Sequence, residues 1–224
     1  MIRQLITAVS LGFLSTSGAL AADHEISFEV SSLANNSDSY NVFSGGRQGM
    51  TALGVRGGWA FHDRLALIGG FQHHRRGSEV YLQESEASMV AAYFATTYSV
   101  GIKADIEPVR WLQLYTTAQA SLYQGLMKWD NEPDSRTNLG QLQSSGISGG
   151  GVFAGGVEFR IPKGVKLPVG FGFYTEMGYG VIARHSYNNP KDPNAPDMTW
   201  EDGQSIGTMQ PGGFTIRSGI GVRF

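Results

Sequence analysis

The chain contains no cysteine, so no disulfide can staple it, and its stability has to come from main-chain pairing and packing. Charge is scarce as well. With 17 Lys and Arg against 19 Asp and Glu the formal balance is −2, which gives no basic footprint for nucleic acid. A long apolar run is also missing. Residues 5–14 form a short one, too short for a spanning helix and without a stop-transfer flank. That run fits a signal peptide instead: Arg3 supplies the positive start and Ala19-Leu20-Ala21 an A-x-A cleavage site. The expectation is a leader over residues 1–21, cleaved on export, and one domain over 22–224.

Glycine is abundant instead, at 31 of 224 residues, against an ordinary usage of about 7%. Eight stretches alternate apolar and polar residues with a period of two. They run over about 24–32, 50–61, 65–75, 88–106, 110–124, 149–161, 167–184 and 212–224. In the last, Phe214, Ile216, Ile220, Val222 and Phe224 fall on one face, and Thr215, Arg217, Gly219, Gly221 and Arg223 on the other. Apolar residues outside with arginines inside suit lipid rather than a soluble core. A slightly negative mean hydropathy agrees, because only every second residue of such a strand meets lipid.

The connections alternate in length. Tight ones are expected at His62-Asp63-Arg64, Glu107-Pro108-Val109 and Pro162-Lys163-Gly164-Val165-Lys166. Long polar ones are expected over 33–49, 76–87, 125–148 and 185–211. Short turns at one end and long loops at the other describe an all-β, eight-stranded antiparallel up-and-down transmembrane β-barrel. Strand four alternates well beyond the roughly 9–11 residues a crossing needs, so strands four, five and seven are expected to project outward.

Strand parity then assigns the interior. The basic residues Arg56, Lys103, Arg160, Arg184, Arg217 and Arg223 and the acidic Glu29, Asp105, Glu158 and Glu176 take the inward positions. Gln72, Gln113, Tyr115, Gln119, Tyr123 and Tyr174 add polar bulk. A barrel of this size is just wide enough for side chains to fill, so mixed charges predict a lumen charge network acting as a plug. Inward glycines such as Gly54, Gly156, Gly172 and Gly178 leave room, which keeps a narrow polar path open as an alternative.

The strand–turn–strand segment 57–67 and the final alternating strand ending in Phe224 resemble the small eight-stranded outer-membrane barrels of the OmpA and OmpX type. The resemblance covers residues 22–224. It implies an outer membrane of a Gram-negative cell, contact with outer-membrane lipid and lipopolysaccharide, and Phe224 as the signal that the barrel-assembly machinery reads.

Function is less legible. The expected role is structural or surface-interacting and non-enzymatic, with no cofactor and no metal, and with an extracellular ligand expected at loops 33–49, 125–148 or 185–211. Tyr40, Phe43, Trp129, Tyr187 and Trp200 are the aromatics of these loops, as a girdle or a contact surface. A porin-like channel for small solutes is the first alternative. The second rests on the order His185, Ser186, Asn188 and Glu201, loosely similar to outer-membrane lipid A deacylases. Those enzymes space the His and Ser so that both share a strand face, whereas His185 and Ser186 are adjacent and alternate. Other patterns are poorer still: His73 and His74 are neighbours that cannot both aim inward, and the acidic loop from Asp192 to Asp202 lacks calcium-loop spacing.

Overall fold

The computed structural model describes residues 24–35, 40, 49–82, 87–132, 142–161, 169–186 and 208–224. The expected cleavage site, the Pro162–Lys166 connection, Phe43, Tyr187 and Trp200 lie outside them. Among the described residues there are ten strands: β1 (Glu25–Asn35), β2 (Gly49–His62), β3 (Leu65–Leu82), β4 (Ala87–Val109), β5 (Leu112–Asn131), β6 (Leu142–Ile161), β7 (Gly170–Ile182), β8 (His185–Ser186), β9 (Thr208–Met209) and β10 (Pro211–Arg223). Eight of them close a barrel in the order β1-β10-β7-β6-β5-β4-β3-β2, and β8 and β9 form a separate two-stranded ribbon. Every neighbouring pair in the barrel is antiparallel.

Closure joins the first strand to the last. Glu25 pairs with Arg223 and the ladder runs to Leu33 opposite Thr215, while His24 and Phe224 exchange main-chain bonds of 3.2 and 3.1 Å. Beyond Leu33 the register shifts, and β10 there carries extra residues including Gly213 at φ 118°. Only glycine adopts that backbone without strain, so the bulge is written into the sequence.

The turn between β2 and β3 is Asp63-Arg64, inside the expected segment. The next one is displaced. β4 continues through Glu107 and Pro108 to Val109, and the turn is Arg110-Trp111. The register shifts between Ile106 and Val109, leaving one extra residue on β4. A proline without an N–H is tolerated at such a bulge, so it does not have to mark the turn itself.

Strand heights are unequal. β3, β4, β5 and β6 have 18, 23, 20 and 20 residues, against 11, 14, 13 and 13 for β1, β2, β7 and β10. The long strands are consecutive and start level at the turn end, so their surplus rises as one wall at the other end. This corrects the expected loops at 76–87 and 125–148, much of which is strand. It also corrects the expected projection of the seventh strand. β7 stops at Ile182, Ala183 makes one last bond of 2.9 Å to Gly149, and the chain leaves for the β8–β9 ribbon.

The outer face carries a continuous apolar belt, with Phe28, Phe153, Val181 and Ile220 each more than half exposed. Trp59, Phe61, Trp111 and Phe159 gather at its turn end, where Trp111 and Phe159 stack with centroids 6.2 Å apart. Exposed apolar area on this scale is stable only against lipid.

Candidate functional site

Inward positions fall into layers. In the middle of the barrel, Glu176 on β7 is opposite Arg217 on β10 and receives its Nη1 at 3.2 Å. From across the lumen Arg56 donates to the other carboxylate oxygen at 2.9 Å, and the Tyr115 hydroxyl donates to that oxygen at 3.2 Å. Arg217 also donates to Gln119 at 3.2 Å. Glu29 completes the layer, receiving the Tyr174 hydroxyl at 2.7 Å and the Gln72 amide, with Arg56 Nε at 3.9 Å. The Arg56 guanidinium lies 4.1 Å from the centroid of the Tyr174 ring.

Nearer the turn end the hub is Glu158. Lys103 donates to it at 2.9 Å, Arg223 donates to its other oxygen, and Arg160 Nε is 3.5 Å away. Lys103 also pairs with Glu25 at 3.6 Å, and Arg160 with Asp105 at 3.8 Å and Glu107 at 3.7 Å. Both hubs, Glu158 and Glu176, are 2% exposed. Each is shared by two or more cations from different strands, so the layers tie opposite walls of the barrel together. Removing one partner from such a buried set leaves an uncompensated charge, which costs about 3–5 kcal/mol.

Nine of the ten charges assigned inward by parity lie in these two layers. Arg184 does not. It follows the end of β7 by two residues and is exposed, because the strand ends before the parity could carry it inside. Glu25 and Glu107 join the charges without having been singled out. Glu25 shares the parity of Glu29 and was legible by that rule, whereas Glu107 was hidden by the misplaced turn.

Three of the inward glycines leave no room. A Cβ on Gly219 would stand 2.6 Å from Tyr174, one on Gly156 2.6 Å from Tyr115, and one on Gly172 2.7 Å from Glu158. The space is taken by the rings and carboxylate of the network.

Towards the tall end the filling turns apolar. Tyr40, Met50, Met89, Tyr93, Tyr123, Met127, Trp129, Ile182 and Met209 form a buried cluster. Tyr40 and Trp129 were expected on exposed loops; Tyr40 is wholly buried and Trp129 is 3% exposed on the inner face of β5. Burial raises the Tyr40 hydroxyl to about 12, against a smaller opposing pull from Arg76. It stays protonated and lies 3.2 Å from His74 Nε2 and 3.3 Å from the Gly49 carbonyl. His74 in turn bonds the Thr51 carbonyl through Nδ1, and the Tyr93 and Tyr123 hydroxyls meet at 2.7 Å. The lumen is thus filled by ion pairs at mid-height and by tyrosine and methionine above.

Of the hydrolase pattern, His185 and Ser186 form β8 and pair with Met209 and Thr208 in consecutive register, with no bulge between them. Asn188 and Glu201 lie outside the described residues.

No protein-family model matches the chain, and no curated protein does. Among solved structures, the outer membrane protein OprG from Pseudomonas aeruginosa aligns with a TM-score of 0.50 at 13% identity, over 92% of this chain and 98% of that one. The fold is that of the small outer-membrane β-barrels. Ail, the attachment invasion locus protein of Yersinia pestis, gives 0.49 at 15% identity over 92% of this chain and 100% of its own. Neisserial surface protein A gives 0.48 at 10% over 93% and 100%. At such identities the likeness concerns the fold of the barrel alone.

Proposed function

We propose that this chain is an integral outer-membrane protein of a Gram-negative cell with a structural or surface-interaction role and no enzymatic one. The observation that carries the reading is the filled lumen. Arg56, Glu176 and Arg217 bridge the barrel at mid-height, and the Tyr40–Met127 cluster occupies the end above them. A barrel filled in this way is a membrane element rather than a conduit. In the proposed orientation the turns and strand ends at Glu25 and Arg223 face the periplasm, and the β3–β6 wall stands outside the cell among lipopolysaccharide. Residues 1–21 direct export and are removed, and Phe224 serves the assembly machinery.

The test is conductance of the refolded 22–224 protein in planar bilayers. Silence is expected from a barrel that is folded by its heat-modifiable migration. Discrete openings whose size shifts in Arg217→Ala would replace this reading with a small-solute channel.

A further inference from the structure

On the outer face of the barrel, charge is confined to one flank. Above the turn end, the outward strand positions that carry it among the described residues are Arg75 and Glu79 on β3 and Lys128 and Asp130 on β5. Both strands belong to the tall wall, with β4 between them. The described outward positions of β7, β10, β1 and β2 carry none.

Register sorts the wall by height. Phe71, Tyr98 and Leu122 pair in a row across β3, β4 and β5, and all three are exposed at the upper edge of the belt. Above them come His73, Thr96 and Gln124, then Arg75, Phe94 and Leu126, then Gly77, Ala92 and Lys128. Glu79, Val90 and Asp130 stand one row higher. The cations therefore lie nearer the belt than the carboxylates do.

Arg75 and His73 are exposed and both lean across β4. The Arg75 guanidinium lies 5.4 Å from the centroid of the Phe94 ring, and His73 Nδ1 is 3.1 Å from Thr96 Oγ1. Among the described residues Arg75 meets no carboxylate, so its fork of N–H donors is open to a partner outside the protein. Lys128 pairs with Asp130 at 3.3 Å, with side chains 32% and 42% exposed, and so exposed a pair contributes little. The rest of the Lys128 row is Gly77 and Ala92, so the surface beside Arg75 is low enough for a group to lie against it.

We propose that this column of the wall binds the phosphorylated headgroup of an outer-leaflet glycolipid, an inference that rests on the membrane orientation given above. Such a molecule carries acyl chains, phosphate and sugar in the order in which the rows of the wall can receive them. The chains lie on Phe71, Tyr98 and Leu122, and the sugar lies on the low surface at Gly77 and Ala92. The phosphate takes the Arg75 fork, whose planar donors match paired phosphate oxygens, and Lys128 adds a second positive charge. A glycolipid without phosphate offers Arg75 nothing, and a zwitterionic phospholipid brings an ammonium against both cations.

For the test, the mature chain 22–224 is refolded in detergent, mixed with lipid A bearing both phosphates and passed through gel filtration. Native mass spectrometry counts the lipid retained. The expected result is saturable retention that falls severalfold when Arg75→Gln and Lys128→Gln are combined, and that is unchanged in Arg110→Gln at the exposed β4–β5 turn. Lipid A stripped of phosphate, and phosphatidylglycerol, are each expected to be retained severalfold less by the unsubstituted protein. Equal retention of the three lipids, or full retention of lipid A by the double variant, overturns the proposal. The comparison of lipids needs no variant, so it decides the matter if the double variant does not fold. Heat-modifiable migration after insertion into vesicles is read separately. A barrel that inserts without preferring phosphorylated lipid A overturns the site alone, and a chain that does not insert overturns the membrane reading with it.

Discussion

The ring of Tyr174 on β7 occupies the place where a side chain on Gly219 of β10 would stand, 2.6 Å from the ideal Cβ position. The two residues are register partners, so the glycine is the seat on which the ring lies while its hydroxyl reaches Glu29. The Phe28 carbonyl closes the same spot from β1, also at 2.6 Å, so backbone as well as ring would have to move.

Gly219→Val is therefore expected to destabilise the barrel by about 1–3 kcal/mol, the usual cost of overpacking a filled interior. Urea unfolding of the refolded protein in detergent, followed by tryptophan fluorescence, measures it. A change within error would mean that Tyr174 has another place to go.

Glu176→Ala should be worse than loss of either cation. It strands Arg56 and Arg217 together in the middle of the barrel, where breaking a buried set costs about 3–5 kcal/mol. The double variant Arg217→Ala with Glu176→Ala is expected to recover part of that loss. A double-mutant cycle on unfolding free energies reads the coupling, and additive effects would show that the pair is not linked.

The belt and the wall can be told apart by charge. Ile220 pairs with Phe28 and Phe173 and is 63% exposed on the belt, so Ile220→Arg is expected to cost about 2–4 kcal/mol in a bilayer. Tyr81, 60% exposed at the top of β3, lies beyond the belt, and Tyr81→Arg should stay within about 0.5 kcal/mol of the parent. Unfolding measured in lipid vesicles compares the two, and equal costs would place the lipid boundary higher on β3.

Parity makes most of this interior readable in the sequence. Arg217 and Glu176 were legible as inward because period-two alternation leaves a strand residue only two faces. Their mutual pairing was not, because register between β7 and β10 depends on the closure at Glu25 and Arg223. Arg184 failed where alternation was carried past the strand's real end. The Trp129 position failed for a different reason: polar, glycine-containing segments looked like loops, yet residues 125–129 and 142–146 pair with each other as strands. A segment such as 142–148 earns its place in a sheet from its partner rather than from its own composition.

The unequal heights of the strands give the molecule a front and a back. On one flank, four consecutive strands of 18 to 23 residues stand tall; on the other, the barrel strands have 11 to 14. A cylinder can turn freely about the membrane normal without its neighbours sensing any difference. This barrel cannot, because among the described residues a neighbour meets tall sheet on one side and shorter strands with the β8–β9 ribbon on the other. In a crowded leaflet its rotational orientation becomes a variable that surrounding molecules sense, and lateral packing around it is directional.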